Sequence, residues 1–123
     1  MLTSSKQRRK QRKARFTAPM HKRQRLVNVH ISKELKQKLK TKRRSIGIRK
    51  GDKVKIMCGS KKGFIGKVAE VDLRSLKILV EGTTTRKAKG TEVLLPVDPS
   101  NLLLLDGDFE KNRKEILDRS GKV

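Results

Sequence analysis

The sequence predicts a mainly β fold: a small antiparallel barrel or roll over residues 45–105, preceded by a basic extension with one short helix and followed by a short C-terminal helix. Three observations carry this. Between Ile46 and Leu105 apolar residues recur with period two in short runs, the spacing of half-buried strands. Those runs are separated by turn residues, chiefly glycine, with no stretch of helical period between them. The 34 Lys and Arg, set against 12 Asp and Glu, are uneven: residues 1–44 hold 17 of the basic residues and one acid, Glu34. A chain of 123 residues has room for one module. Closure suits it, because a domain of about 60 residues buries only about 60% of its unfolded surface and an open edge invites pairing with neighbours.

The extension, residues 1–44, opens on KQRRKQRKAR, Lys6 to Arg15, in which Ala14 is the one apolar residue. Such a run cannot bury enough apolar surface to offset its loss of conformational entropy. Residues 1–30 are therefore expected to be disordered in the free protein and to order against a partner. MHKRQRLVNVHI, after Pro19, mixes apolar and basic residues with no clear period. Ser32 then precedes KELKQKLK. Serine is a favoured N-cap and Glu34 lies in the first turn, where a carboxylate meets the positive end of the helix dipole, so a short helix is expected near residues 33–40. Leu35 and Leu39 give it a narrow apolar stripe.

The strands follow. IRKGDKVKIM puts Val54 and Ile56 on one face and Lys53 and Lys55 on the other, behind a Gly-Asp turn. GSKKGFIG is a turn in which Gly59, Gly63 and Gly66 call for positive φ or close backbone approach. KVAEVD resumes extended structure with imperfect alternation, the mark of a bent or bulged strand. LRSL turns the chain, and KILVEG is a third strand with Ile78 and Val80 inward. TTTRKAKGTEVLLPV is expected to hold a fourth and a fifth, separated by Lys89-Gly90. Pro96 and Pro99 close the segment, and residues 101–105 add a last short strand. In the tail, residues 106–123, Phe109, Arg113, Ile116 and Leu117 recur at helical spacing, and Phe109 and Ile116 are expected to cap the barrel.

A formal net charge of +22 would make a compact monomer repel itself, which implies a polyanionic partner. No membrane span is expected, since the longest apolar run, Leu102 to Leu105, is far short of the roughly 20 residues a span requires. The basic start lacks the apolar stretch of a secretory signal and the amphipathic face of a transit peptide. Cys58, the single cysteine, cannot form an internal disulfide, which fits a reducing compartment. Nucleic acid is the polyanion that such density favours. Its candidate contacts in the arm are Lys6, Arg8, Arg9, Lys10, Arg12, Lys13, Arg15, His21, Lys22, Arg23 and Arg25.

Enzymatic readings find no site. His21 and His30 have no CxxC or HExxH around them, so no metal, cofactor or nucleophile pair is expected, and each is read as bonding a phosphate or backbone group. Asp52 and Asp72 sit beside strands at turns and are read as structural. No phosphate-binding P-loop exists: Lys61 stands where its first glycine would be and Val68 replaces Ser or Thr. With three Phe and no Trp or Tyr, an aromatic stacking sheet is excluded, and Gly63-Phe64-Ile65-Gly66 is flanked by strands rather than the helices of a KH loop. No small-molecule substrate is expected.

GDKVKIMCGSKKGFIGKVAEVD resembles the KOW motif through Gly51, Asp52, Val54, Ile56, Gly59, Lys62, Gly63, Gly66, Val68, Val71 and Asp72. With the basic arm, SKELKQKLK, VEGTTTRKAKGTEV and PVDPSNLLLL, nearly the whole chain resembles the archaeal and eukaryotic branch of the large-subunit ribosomal protein family numbered twenty-four. The resemblance implies an SH3-like barrel bound to large-subunit rRNA near its 5′ domain. It further implies early action in subunit assembly, a place beside the nascent-chain exit tunnel among neighbouring large-subunit proteins, and a cytoplasmic, ribosome-bound protein. It also implies that two loops face rRNA: Ser60, Lys61, Lys62 and Gly63 in the first, Arg86, Lys87 and Lys89 in the second. There, glycines would let backbone N–H groups approach phosphates while lysines supply charge. Cys58 and Phe64 depart from the family pattern. Phe64 is open to two readings, a ring stacked on an unpaired base or one folded over the turn. Two rival functions use similar chemistry: a KOW-bearing transcription-elongation factor, which would carry a further polymerase-binding domain, and a DNA-compacting protein, which would need a dimer surface or an intercalating wedge.

Overall fold

In the computed structural model, which describes residues 4–119, helices α1 (Arg8–Thr17) and α2 (Met20–Leu26) lead into strand β1 (Asn28–Ile31), helix α3 (Lys33–Leu39) and strand β2 (Ser45–Gly47). Strands β3 (Lys53–Ile56), β4 (Ile65–Asp72), β5 (Lys77–Arg86) and β6 (Glu92–Val97) follow as an antiparallel meander. A 3-10 turn at Pro99–Asn101 enters β7 (Leu102–Asp106), and helix α4 (Lys111–Asp118) ends the described chain.

The seven strands form one mixed sheet in the order β2-β1-β7-β3-β4-β5-β6. The expectation of a closed barrel is corrected: the ladder is open, with β2 and β6 at its two ends. A closed barrel would join β7 to β6, but the edge of β7 that β3 leaves free is taken by β1, which runs parallel to it through His30↔Leu103 and Ile31↔Leu104. NVHI, read with the extension, thus belongs to the sheet, with Val29 and Ile31 buried and His30 outward.

Alternation in β3 and β5 is as the period predicts. Val54, Ile56, Ile78 and Val80 are buried beside Val68, Leu102 and Leu104, and Leu35 of α3 seals one flank. Ser32 caps α3, its hydroxyl accepting from Leu35 N at 3.1 Å. The bend expected in KVAEVD is a register shift between Val68 and Glu70. The two strands expected in TTTRKAKGTEVLLPV are otherwise arranged: TTTR continues β5, which kinks at Gly82 with a register shift between Leu79 and Thr84, and only β6 is new. Pro96 lies inside β6 rather than closing the segment. An edge strand tolerates this, because a missing N–H on the unpaired side breaks no ladder bond.

The turn between β3 and β4 depends on its glycines for two different reasons. Gly63 has φ +86 with open space around its missing Cβ, so any cost of a side chain there comes from the backbone. Gly66 is needed for close approach, since a Cβ would stand 2.8 Å from Glu81 O. The Phe64 ring lies over Gly66 and Gly82 and packs on the core, which decides between its two readings in favour of the folded ring. Gly63→Val is expected to lower stability by about 1–3 kcal/mol through left-handed backbone strain. Thermal melts would read this, and an unchanged midpoint would contradict the strained turn.

At the C-terminus α4 packs through Leu117, whereas Ile116, expected to cap the core, is 37% exposed. Phe109 does pack against the core. Between them Arg113 is buried, and both of its terminal nitrogens donate to Asp52, Nη1 to Oδ1 at 2.8 Å and Nη2 to Oδ2 at 2.7 Å.

Candidate nucleic-acid interface

The arm is helical where disorder was expected. Arg, Lys, Gln and Ala are good helix formers, which favours α1 over RRKQRKARFT although the helix has no side-chain cap and neither α1 nor α2 buries a residue. Both helices are therefore basic surfaces without a core face. Arg8, Arg9, Lys10, Arg12, Lys13 and Arg15 lie on α1, Lys6 precedes it, and His21, Lys22, Arg23 and Arg25 lie on α2. With no acid in either helix, their charge is uncompensated along the arm. Arg23 is tied inward: its Nε donates to Ala18 O at 2.9 Å and its Nη2 to Phe16 O, which satisfies carbonyls at the C-terminal end of α1.

The two loops lie at one end of the sheet. The antiparallel meander sends β3 and β5 in the same direction, so the turn after β3 and the turn after β5 emerge together. Ser60, Lys61 and Lys62 are exposed in the first and Arg86, Lys87 and Lys89 in the second. The C-terminal end of α2 lies elsewhere: Gln24 and Val27 line a cavity with Ile48, Glu70, Leu73 and Arg113, on the side of the β4–β5 turn and α4. Backbone amides are less available than the sequence suggests. Gly63 N donates to Ile56 O at 2.8 Å, Lys62 N to Gly59 O at 3.1 Å and Phe64 N to Lys61 O at 3.1 Å, so the first loop presents side chains rather than these N–H groups. In the second loop Lys87 N and Gly90 N are likewise engaged, with Thr91 O and Lys87 O.

One cationic feature is not legible in the sequence. Lys53 and Lys67 stand directly opposite on β3 and β4, both exposed. Like charges in that position repel in the free protein, and a bound polyanion would reverse the sign of the effect. Alternation places Lys53 outward, but only the register sets Lys67 against it.

Three acids are paired away from these candidates. Among the described residues the ion pairs are Arg49–Glu110, Lys77–Asp98 and Arg113–Asp52, and none uses an arm or loop candidate. Asp72 accepts from Ser75 Oγ at 2.6 Å and from the backbone N–H of Arg74 and Ser75, which together hold its carboxyl below the usual carboxylate range. Both aspartates are structural, as read from their turns. Among the described residues no group of three or more His, Cys, Asp or Glu could hold a metal ion, and no helix is long and apolar enough to cross a membrane.

Comparison with known proteins adds a family. The family model for the eukaryotic ribosomal proteins L26 and their archaeal L24 counterparts matches residues 5–120. Among curated proteins, the large ribosomal subunit protein uL24 of Methanosphaera stadtmanae is 44% identical over 110 residues, covering 89% of this chain and 92% of that relative.

Proposed function

From the premise that this chain belongs to the archaeal and eukaryotic branch of the large-subunit ribosomal protein family numbered twenty-four, a structural and non-enzymatic constituent of the ribosome, we propose that it binds large-subunit rRNA near its 5′ domain. On this reading it acts early in subunit assembly, in the cytoplasm, and sits among neighbouring large-subunit proteins beside the nascent-chain exit. The observation that carries the proposal is the acid-free arm: two helices with no buried residue, carrying nine Lys and Arg and no acid. A helix that buries no residue in its own chain and carries uncompensated charge is suited to lie along phosphates. The register shifts in β4 and β5 curl the meander, which supports reading β7-β3-β4-β5-β6 as the SH3-like unit of the family even though its ladder is open.

The two loops emerge at one end of the sheet, so a single rRNA surface could engage both, with the arm contacting rRNA along its own length. The test is co-sedimentation: the protein is expected to pellet with large subunits and not small ones, and to stay bound through a high-salt wash. Release into the supernatant, or equal binding to both subunits, would overturn the reading.

A further inference from the structure

Two of the three phenylalanine rings in the chain are folded onto the protein. Phe64 covers Gly66 and Gly82, and Phe109 packs on the core with the Arg113 guanidinium 4.9 Å from its ring centroid. Phe16 is 68% exposed. It stands in the last turn of α1, a helix with no buried residue, so folding supplies no reason for an aromatic ring there.

Its position is nevertheless fixed. Arg23 reaches back from α2 to Phe16 O and Ala18 O, Thr17 Oγ1 donates to Lys13 O at 2.8 Å, and Pro19 locks the link between the helices at φ −65°. Arg12 and Lys13 lie four and three residues before the ring, on the same face of α1. The ring is thus an apolar plate held on a stiff elbow inside a field of positive charge.

We propose that Phe16 is a base-stacking site: an unpaired base of the RNA lays its face on the ring while Arg12 and Lys13 hold the phosphates on either side. This rests on the RNA-binding reading above and names how that surface takes hold of a non-duplex feature. The flanking charge selects the occupant, since an apolar protein patch would have to desolvate these cations without pairing them, whereas a nucleotide brings a face for the ring and phosphates for the arginine and lysine. A duplex interior offers no free base face, so the site distinguishes bulges and loops from paired helix.

The chain has no Trp or Tyr, so Phe16→Trp makes the sole indole a direct reporter. The probes are an RNA hairpin carrying one bulged adenine and the same hairpin without the bulge, both titrated with the full-length chain. Phe16→Ala and Phe16→Leu are expected to weaken binding to the bulged hairpin by about 5- to 150-fold and to leave the unbulged one unchanged. The Phe16→Trp indole is expected to be quenched by the bulged hairpin alone. Equal losses on both hairpins, full function of the leucine variant, or an unquenched indole would overturn the stacking site while leaving RNA binding intact. Failure of the wild-type chain to bind either hairpin at near-physiological salt would overturn the RNA-binding reading, and the stacking site with it.

Discussion

Asp52→Ala is expected to cost about 3–5 kcal/mol of folding stability, a large share of the roughly 5–15 kcal/mol that holds a small domain together. Both side chains of the pair are 2% exposed, so removing the carboxylate strands a guanidinium where water cannot reach it. The carboxylate does more than pair. Its Oδ2 also accepts from Arg49 N at 2.9 Å, fixing the turn before β3. Arg113 in turn donates to Asp108 O at 2.9 Å and Gly47 O at 3.1 Å, so one guanidinium joins β2, the turn before β3 and the approach to α4. Gly107 belongs to the same arrangement, because a Cβ there would run into Asp52 Oδ1.

The exposed pairs provide the comparison. Glu110→Ala, which removes the partner of Arg49 at 3.3 Å, is expected to cost at most about 1 kcal/mol, since solvent already screens that pair. Arg113→Met should cost nearly as much as Asp52→Ala, and the Asp52→Ala/Arg113→Met double variant much less than the two single losses combined, because it leaves no buried charge behind. Urea unfolding of the four variants decides it. Single losses below about 1 kcal/mol, or additive losses in the double variant, would show that the pair is not what anchors the tail.

This anchor is only half visible in the sequence. Asp52 reads as an ordinary turn aspartate and Arg113 as a helix residue in a charge-balanced tail; 61 positions separate them, and no local period joins them. The strands are legible wherever alternation runs long enough, as at Val54 and Ile56 or Ile78 and Val80. NVHI and SIG are not, because four and three residues hold too few alternations to separate from loop, and the parallel pairing of β1 with β7 joins segments far apart in the chain. The open ladder follows from that same unread strand. In the arm, composition argues for disorder while propensity favours helix, and the structure follows propensity. The candidate cations are legible as residues, but the inward tie of Arg23 and the shared end of the two loops depend on geometry that charge counting does not contain.

That geometry separates two roles, affinity and preference. The arm, through Arg25, carries ten Lys and Arg, and β1 begins only after the buried Val27, so a deletion of residues 1–26 removes charge without cutting into the sheet. It is expected to flatten the plot of log affinity against log salt, by about 0.7–0.9 in slope for each phosphate no longer neutralised, and to lower affinity by orders of magnitude at low salt. A basic helix with no core face senses charge density, whereas loops fixed by their own backbone hydrogen bonds sense the shape of what they meet. Reversing Lys61, Lys62, Arg86 and Lys87 to Glu is therefore expected to erode the preference for large-subunit rRNA over unrelated structured RNA, beyond any uniform weakening. Filter binding across a salt series, with both RNAs and a duplex DNA, reads slope and preference together. A loop variant that keeps its full preference beside an arm deletion that abolishes it would reverse the assignment of roles. Equal affinity of the intact chain for rRNA and duplex DNA at near-physiological salt would remove the ribosomal reading of both surfaces and leave a general polyanion binder in its place.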